Sequence, residues 1–233
     1  MSDKSTLTPP RKAATIDKSL NILASCLQSV SCAIHGSNNQ TATVKYMGRS
    51  VFMDIWEEAT GNWYENGFSS LYLYGPAGVG KSHILTALVF SLIKQGNRVV
   101  YIPDCRAAVK DPWANIRIAL LFAFDGYPDL QHAIAKAGTL NDIMKVICTL
   151  ENHSLYLVVD QLNALDADVC ETGHADRRKM DLDDAVASIS NSQKYIFSSS
   201  ANAISIQLAD QKQTGIRVFR LNKGMTPVCP HTF

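Results

Sequence analysis

The chain has 233 residues, enough for one α/β domain with a sizeable core. Its 46% hydrophobic and 18% charged content fit a globular protein and exclude a disordered one. The net charge of +1 gives no bulk electrostatic case for nucleic acid or an anionic membrane, and no apolar run approaches the ~20 residues of a membrane helix.

Residues 1–18 are polar, carry Pro9-Pro10-Arg11-Lys12 and lack the apolar core of a secretory signal, so they are expected to form a flexible arm. Residues 19–34 hold Leu20, Ile22, Leu23, Leu27, Val30 and Ile34 and read as a helix, with 35–40 as a loop. Residues 51–58 read as a second helix, reaching the core through the turn-prone Gly61-Asn62 and Asn66-Gly67. The stretch 19–69 is thus expected as a helical segment ahead of a core over 70–233.

The core opens on Leu71-Tyr72-Leu73-Tyr74, a strand-like run, followed by Gly75-Pro76-Ala77-Gly78-Val79-Gly80-Lys81-Ser82. This is a complete G-x-x-x-x-G-K-[ST] phosphate-binding loop. Ile84, Leu85, Leu88, Val89, Leu92 and Ile93 then recur at helical spacing up to Gly96. The context of strand, glycine loop and helix gives the pattern its mechanism. Glycines let N–H groups turn inward, and the helix start adds unpaired donors and a positive dipole end. Positions Gly75 to His83 are therefore expected around a triphosphate, with Lys81 on its outer phosphates and the Ser82 hydroxyl on Mg²⁺.

Arg98-Val99-Val100-Tyr101-Ile102 reads as a buried strand. Asp111-Pro112 marks a helix start, cap then proline, with Trp113, Ile116, Leu120, Leu121 and Phe124 as its apolar face. Thr139-Leu140-Asn141-Asp142 opens another helix in a capping-box-like pattern. Leu155-Tyr156-Leu157-Val158-Val159-Asp160, Lys194–Ser200 and Ile216–Leu221 read as three more strands. Alternation of strands with helices predicts a three-layer α/β sandwich: a mainly parallel five-stranded sheet with helices on both faces. Ligands bind such sheets at the carboxyl ends of the strands, where the loop, Asp160 and residues 198–202 fall.

Apolar residues ending in an acid form a Walker B pattern, so Asp160 is expected in the Mg²⁺ shell with Ser82. Gln161 follows, where many hydrolytic members of this class carry a Glu. An amide can orient a water but cannot take its proton, and losing a positioned base costs about 10²–10⁴ in rate. Asp166 or another acid offers a substitute base, but the Asp-rich segment through Asp184 reads more simply as a solvated acidic loop. Ser200 and Asn202 offer either a γ-phosphate sensor or turn chemistry. Arg217 and Arg220 offer either a transition-state cation or exposed strand arginines.

Six cysteines (Cys26, Cys32, Cys105, Cys148, Cys170, Cys229) contain no C-x-x-C pair. Cys148 reads as a buried thiol on an apolar helix face; Cys170 and His174 have ligand-like spacing but no companion pair, which argues against zinc. A reducing, intracellular compartment, cytoplasmic or nuclear, is the simplest expectation.

From Leu71 to Leu221 the chain resembles the P-loop core of AAA+ and STAND-type ATPases, in the class with an extra strand between the P-loop and Walker B strands. More narrowly it is similar to the ATPase domains of Crinkler effectors and retrotransposon hot spot proteins. The shared features are GPAGVGKSHILTAL, Asp160-Gln161-Leu162-Asn163-Ala164-Leu165 and the SSSAN of 198–202. The resemblance implies a P-loop NTPase that uses ATP and Mg²⁺, with Lys81, Asp160, Gln161 and Asn202 as catalytic residues. It allows a protein partner, self-association or an effector role, although no translocation motif stands near Met1 and no nuclease segment is evident. The helical lid such cores carry would begin near Lys223–Pro227, so 70–233 is expected to lack it. A slow ATPase, a nucleotide-gated switch, a degenerate copy and, last, a small-molecule phosphotransferase are the readings left open.

Overall fold

The computed structural model describes residues 30–32, 42–44, 51–61, 63, 69–148, 155–166, 177–190, 193–200 and 215–221. The chain divides into two units, Met1–Gly48 and Arg49–Phe233. In the first, β1 (Val30–Cys32) pairs antiparallel with β2 (Ala42–Val44). This corrects the expected helix over 19–34 at its carboxyl end. The β-branched Val30 and its small neighbours Ser31 and Cys32 pair as a strand despite the helical spacing of the apolar residues before them.

The second unit begins with α1 (Val51–Thr60), which buries Phe52, Ile55, Trp56 and Ala59 at helical spacing. It continues through β3 (Ser70–Gly75), α2 (Lys81–Lys94), β4 (Arg98–Ile102), the short α3 (Cys105–Ala108), α4 (Pro112–Ala123), α5 (Pro128–Lys136) and α6 (Leu140–Cys148). Then come β5 (Leu155–Val159), a 3₁₀ turn (Leu162–Ala164), α7 (Arg177–Ser190), β6 (Lys194–Ser200) and β7 (Ile216–Arg220). Two helix starts follow their sequence signals. The Asp111 carboxylate accepts from Ala114 N at 3.0 Å, with Pro112 in the first turn; the Thr139 hydroxyl bonds Asp142 Oδ2 at 2.8 Å and accepts from its N–H.

The five strands form one sheet in the order β4-β5-β6-β3-β7, all neighbours parallel. β6 therefore lies between the loop-bearing β3 and the acid-bearing β5, as the resemblance implied. The central strand β5 and the middle of β3 are apolar because both faces of the sheet are covered. Every residue of β5 is buried, and so are Leu71, Tyr72 and Leu73 of β3. One face, with Tyr72, Val100, Ile102, Leu157, Val159 and Phe197, packs against α4, α5, α6 and α7 in a single cluster. Alternate strand residues point the other way. There α2 contributes the fully buried Ile84, Leu85, Leu88 and Leu92. The edge strand β7 exposes Arg217, Val218 and Arg220, the charged dressing that discourages further pairing.

The acidic loop expected through Asp184 is instead, from Arg177 on, the helix α7. Leu182, Ala185, Val186 and Ile189 supply its buried stripe, while the acids occupy the remaining faces. Helices α3 and α5 are likewise additions to the sequence reading. Among the described residues, no helix is long and apolar enough to cross a membrane, and no group of three or more His, Cys, Asp or Glu gathers as a metal cluster. Cys170 and His174 lie outside the described residues.

Candidate nucleotide site

The site is built at the carboxyl edge of the sheet from two walls. The first is the loop between β3 and α2. Gly78 and Gly80 hold φ of +75° and +89°, left-handed values that favour glycine. Gly75 has a different reason: a Cβ there would sit 2.6 Å from Leu221 O and 3.1 Å from Leu221 Cβ. The neighbouring backbone comes this close because Leu221 N donates to Tyr74 O at 2.7 Å, extending the β3–β7 ladder. Pro76, Ala77 and Gly78 are exposed, whereas Val79 is buried and pins the loop to the core.

Gly80 caps α2 with no side chain to offer, so no side-chain acceptor from the cap serves the N–H groups of the first turn. Such a helix start attracts an anion. Lys81 Nζ donates to Gly75 O at 2.7 Å and to Pro76 O at 2.9 Å, folding the side chain back over its own loop. Burial pushes the Lys81 ammonium below its ordinary range, and the Asp160 charge pulls it partly back up. Ser82 and His83 are exposed on the first turn of α2.

The second wall is Asp160, which follows β5 and is 1% exposed. Its N–H donates to Ile102 O at 2.9 Å and its carbonyl accepts from Cys105 N at 3.2 Å. Asp160 Oδ1 accepts from Gln161 N at 2.9 Å and from the Ser198 hydroxyl. Asp160 Oδ2 is buried and has no hydrogen-bond partner among the described residues. A bare buried carboxylate oxygen is costly unless a ligand completes it, and a hard cation that prefers oxygen does so well. The donor set present thus fits Mg²⁺. Nearby, burial and the Asp160 charge push the Cys105 thiol up to about 12, so Cys105 is an inert core group.

Gln161 follows at φ 60° and ψ 41°, the one non-glycine residue with positive φ among those described. That conformation costs a side chain about 1–2 kcal/mol. It reverses the chain directly after the acid and starts the 3₁₀ turn, with Ala164 N on Gln161 O at 2.9 Å.

The structure brings Gly75 to His83, Asp160 and Gln161 to one edge of the sheet. Ser200 stands in register with Gly75 across the β3–β6 ladder. Asn202 lies outside the described residues. Arg217 is ion-paired to Glu58 of α1 at 2.7 Å, and the Arg220 guanidinium lies 5.4 Å from the Tyr74 ring centre. Asp166 lies two residues beyond the 3₁₀ turn, where its carbonyl accepts from Lys179 of α7 at 3.4 Å. Sequence reasoning put residues 198–202 at this edge but gave Ser198 no role of its own. The pairing of Val159 with Phe197 carries one step further to set Asp160 beside Ser198, a placement that needs the strand order.

No protein-family model matches this sequence, and no curated protein does. Among solved structures, the chain is similar to the Aeropyrum pernix ORC2 protein in ADPNP–ADP complexes, at 15% identity and a TM-score of 0.46, over 75% of this chain and 47% of that one. It is similar to AMPPCP-bound DnaA from Aquifex aeolicus at 17% identity and a TM-score of 0.42, over 76% and 48%. PCH-2 of C. elegans follows at 11% and 0.36, over 75% and 41%. The chain spans about half the length of the first two.

Proposed function

We propose that this chain is a P-loop protein of AAA+/STAND type that binds ATP with Mg²⁺ and hydrolyses it slowly. The observation that carries the reading is the bare, buried Asp160 Oδ2 at the same sheet edge as the glycine loop, with Lys81 within reach of its charge. The sheet order, with β6 between β3 and β5, supports the AAA+/STAND class. The first-turn N–H groups of α2 and the loop backbone bind the phosphates, and Lys81 exchanges two carbonyl acceptors for phosphate oxygens. Ser82 and Asp160 hold Mg²⁺, which when bound neutralises charge on the outer phosphates. Gln161 orients the attacking water, and Asn202 or Ser200 senses the γ-phosphate. ATP is preferred over GTP on the family resemblance, since the sequence contains no guanine-reading N-K-x-D element.

Purified protein should release phosphate from Mg·ATP, and Lys81→Ala should reduce release to background. A protein that binds no nucleotide by calorimetry ends the proposal. A second reading, a nucleotide-gated switch with negligible hydrolysis, is favoured by Gln161, which cannot accept a proton from water. Tight ATP binding without release above the Lys81→Ala background selects it. In either case occupancy acts on a protein partner or a second copy of the chain. The narrower likeness to Crinkler and retrotransposon hot spot ATPase domains belongs to the same proposal, on the strength of the Asp160–Leu165 phrase.

A further inference from the structure

We infer that Ser198 is a positioning residue for the metal-binding acid: its hydroxyl holds Asp160 Oδ1 so that Oδ2 is the oxygen left for Mg²⁺. This rests on the reading of Asp160 as a member of the metal shell. Both side chains are withdrawn from water, Ser198 at 0% and Asp160 at 1% exposure. An ionised carboxylate accepts through about four lone-pair sites on two oxygens. Here the donors are divided unevenly. Oδ1 receives the Ser198 hydroxyl and the Gln161 N–H, while Oδ2 receives no donor among the described residues. Two donors on one oxygen define the rotation of the carboxylate better than one would.

The two donors also come from different directions. Gln161 N–H belongs to the reversal that follows β5, whereas Ser198 is presented by β6. Adjacent serines in β6 point to opposite faces. Ser199 bonds the Tyr72 hydroxyl and takes no part in holding the acid. Ser198 thus ties the acid to the strand that stands between β5 and the loop-bearing β3. Groups that hold a metal ligand in place from behind typically cost about 10–100-fold in metal affinity when removed.

The test measures ATP affinity of the full chain by calorimetry in Mg²⁺ and in EDTA, and takes the ratio. Ser198→Ala should lower that ratio by about tenfold or more relative to wild type. Ser198→Thr, which keeps the hydroxyl, should restore it. In an Asp160→Asn background, Ser198→Ala should add nothing further, because the group it acts through is gone. Should the alanine variant not fold, Ser198→Cys keeps the size and weakens the donor, and carries the same measurement. An unchanged ratio in the alanine or cysteine variant overturns the inference, as does an equal loss in the Asp160→Asn background. A wild-type protein whose affinity ignores Mg²⁺ defeats the functional reading itself, and the role of Ser198 with it.

Discussion

The two walls of the site are made in opposite ways. The loop wall is local: contiguous residues, exposed at Pro76 to Gly78, its shape set by glycine φ angles and by a lysine bonded to its own carbonyls. The acid wall is assembled from a distance: Asp160 of one segment, Ile102 and Cys105 of another, and Ser198 of a third, all withdrawn from water. A loop of this kind can adapt to a ligand. An acid whose backbone is held by the β4 segment and whose carboxylate is held by Gln161 N–H and Ser198 cannot, so its alignment is settled when the sheet forms.

The largest effect should come from Lys81→Ala, which removes the cation proposed to meet the phosphates. Phosphate release from Mg·ATP should fall about 10²–10³-fold, to background, and a release assay reads it directly. If the variant keeps activity, the loop wall is not the working half of the site. Next is Gln161→Glu, which supplies a proton acceptor beside the fixed acid. Turnover should rise about tenfold or more, a part of the gain a positioned base can give. Unchanged turnover takes residue 161 out of the mechanism.

Stability changes sharpen the same contrast. Gly75→Ala drives a Cβ into the Leu221 carbonyl, where backbone blocks it, and should cost about 1–3 kcal/mol by urea denaturation. Gly78→Ala meets no atom within 4 Å, so only its positive φ is penalised, by about 1 kcal/mol. Equal losses would mean that the two glycines are held by the same constraint. The smallest effect is expected for Arg217→Ala. Its ion pair with Glu58 is exposed at the arginine, so the loss should stay below about 1 kcal/mol, shrink in high salt and leave ATP affinity unchanged. A fall in phosphate release would revive Arg217 as a transition-state cation.

What was legible in the sequence follows the same division. Strand β5 is an uninterrupted apolar run, β4 and β6 carry the β-prone cores Val99–Ile102 and Tyr195–Phe197, and α4 and α6 begin at side-chain caps, so their signals lie within a few residues. The phosphate loop is equally local. Helix α7 was hidden because Arg177-Arg178-Lys179 and a cluster of aspartates mask the stripe Leu182, Ala185, Val186 and Ile189. The strand at Val30–Cys32 was hidden by helical spacing in the residues that precede it. In the site, Asp160 was readable as the end of an apolar strand. Ser198 was not, because its role exists only once β6 is inserted beside β5. The left-handed turn at Gln161 was also invisible, since glutamine does not advertise positive φ as glycine or asparagine does.

The backbone of Asp160 carries a dynamic consequence. Its N–H is donated to Ile102 and its carbonyl is taken by Cys105, so both main-chain groups are engaged on the same side by the β4 segment. Such an amide exchanges with solvent only when strands β4 and β5 part, on the timescale of sub-global or global opening. The exposed tip of the loop has no comparable hold. The empty protein should therefore show a sharp gradient of amide protection across one site: slow at the acid, fast at the loop tip. Nucleotide should flatten that gradient by slowing the loop alone.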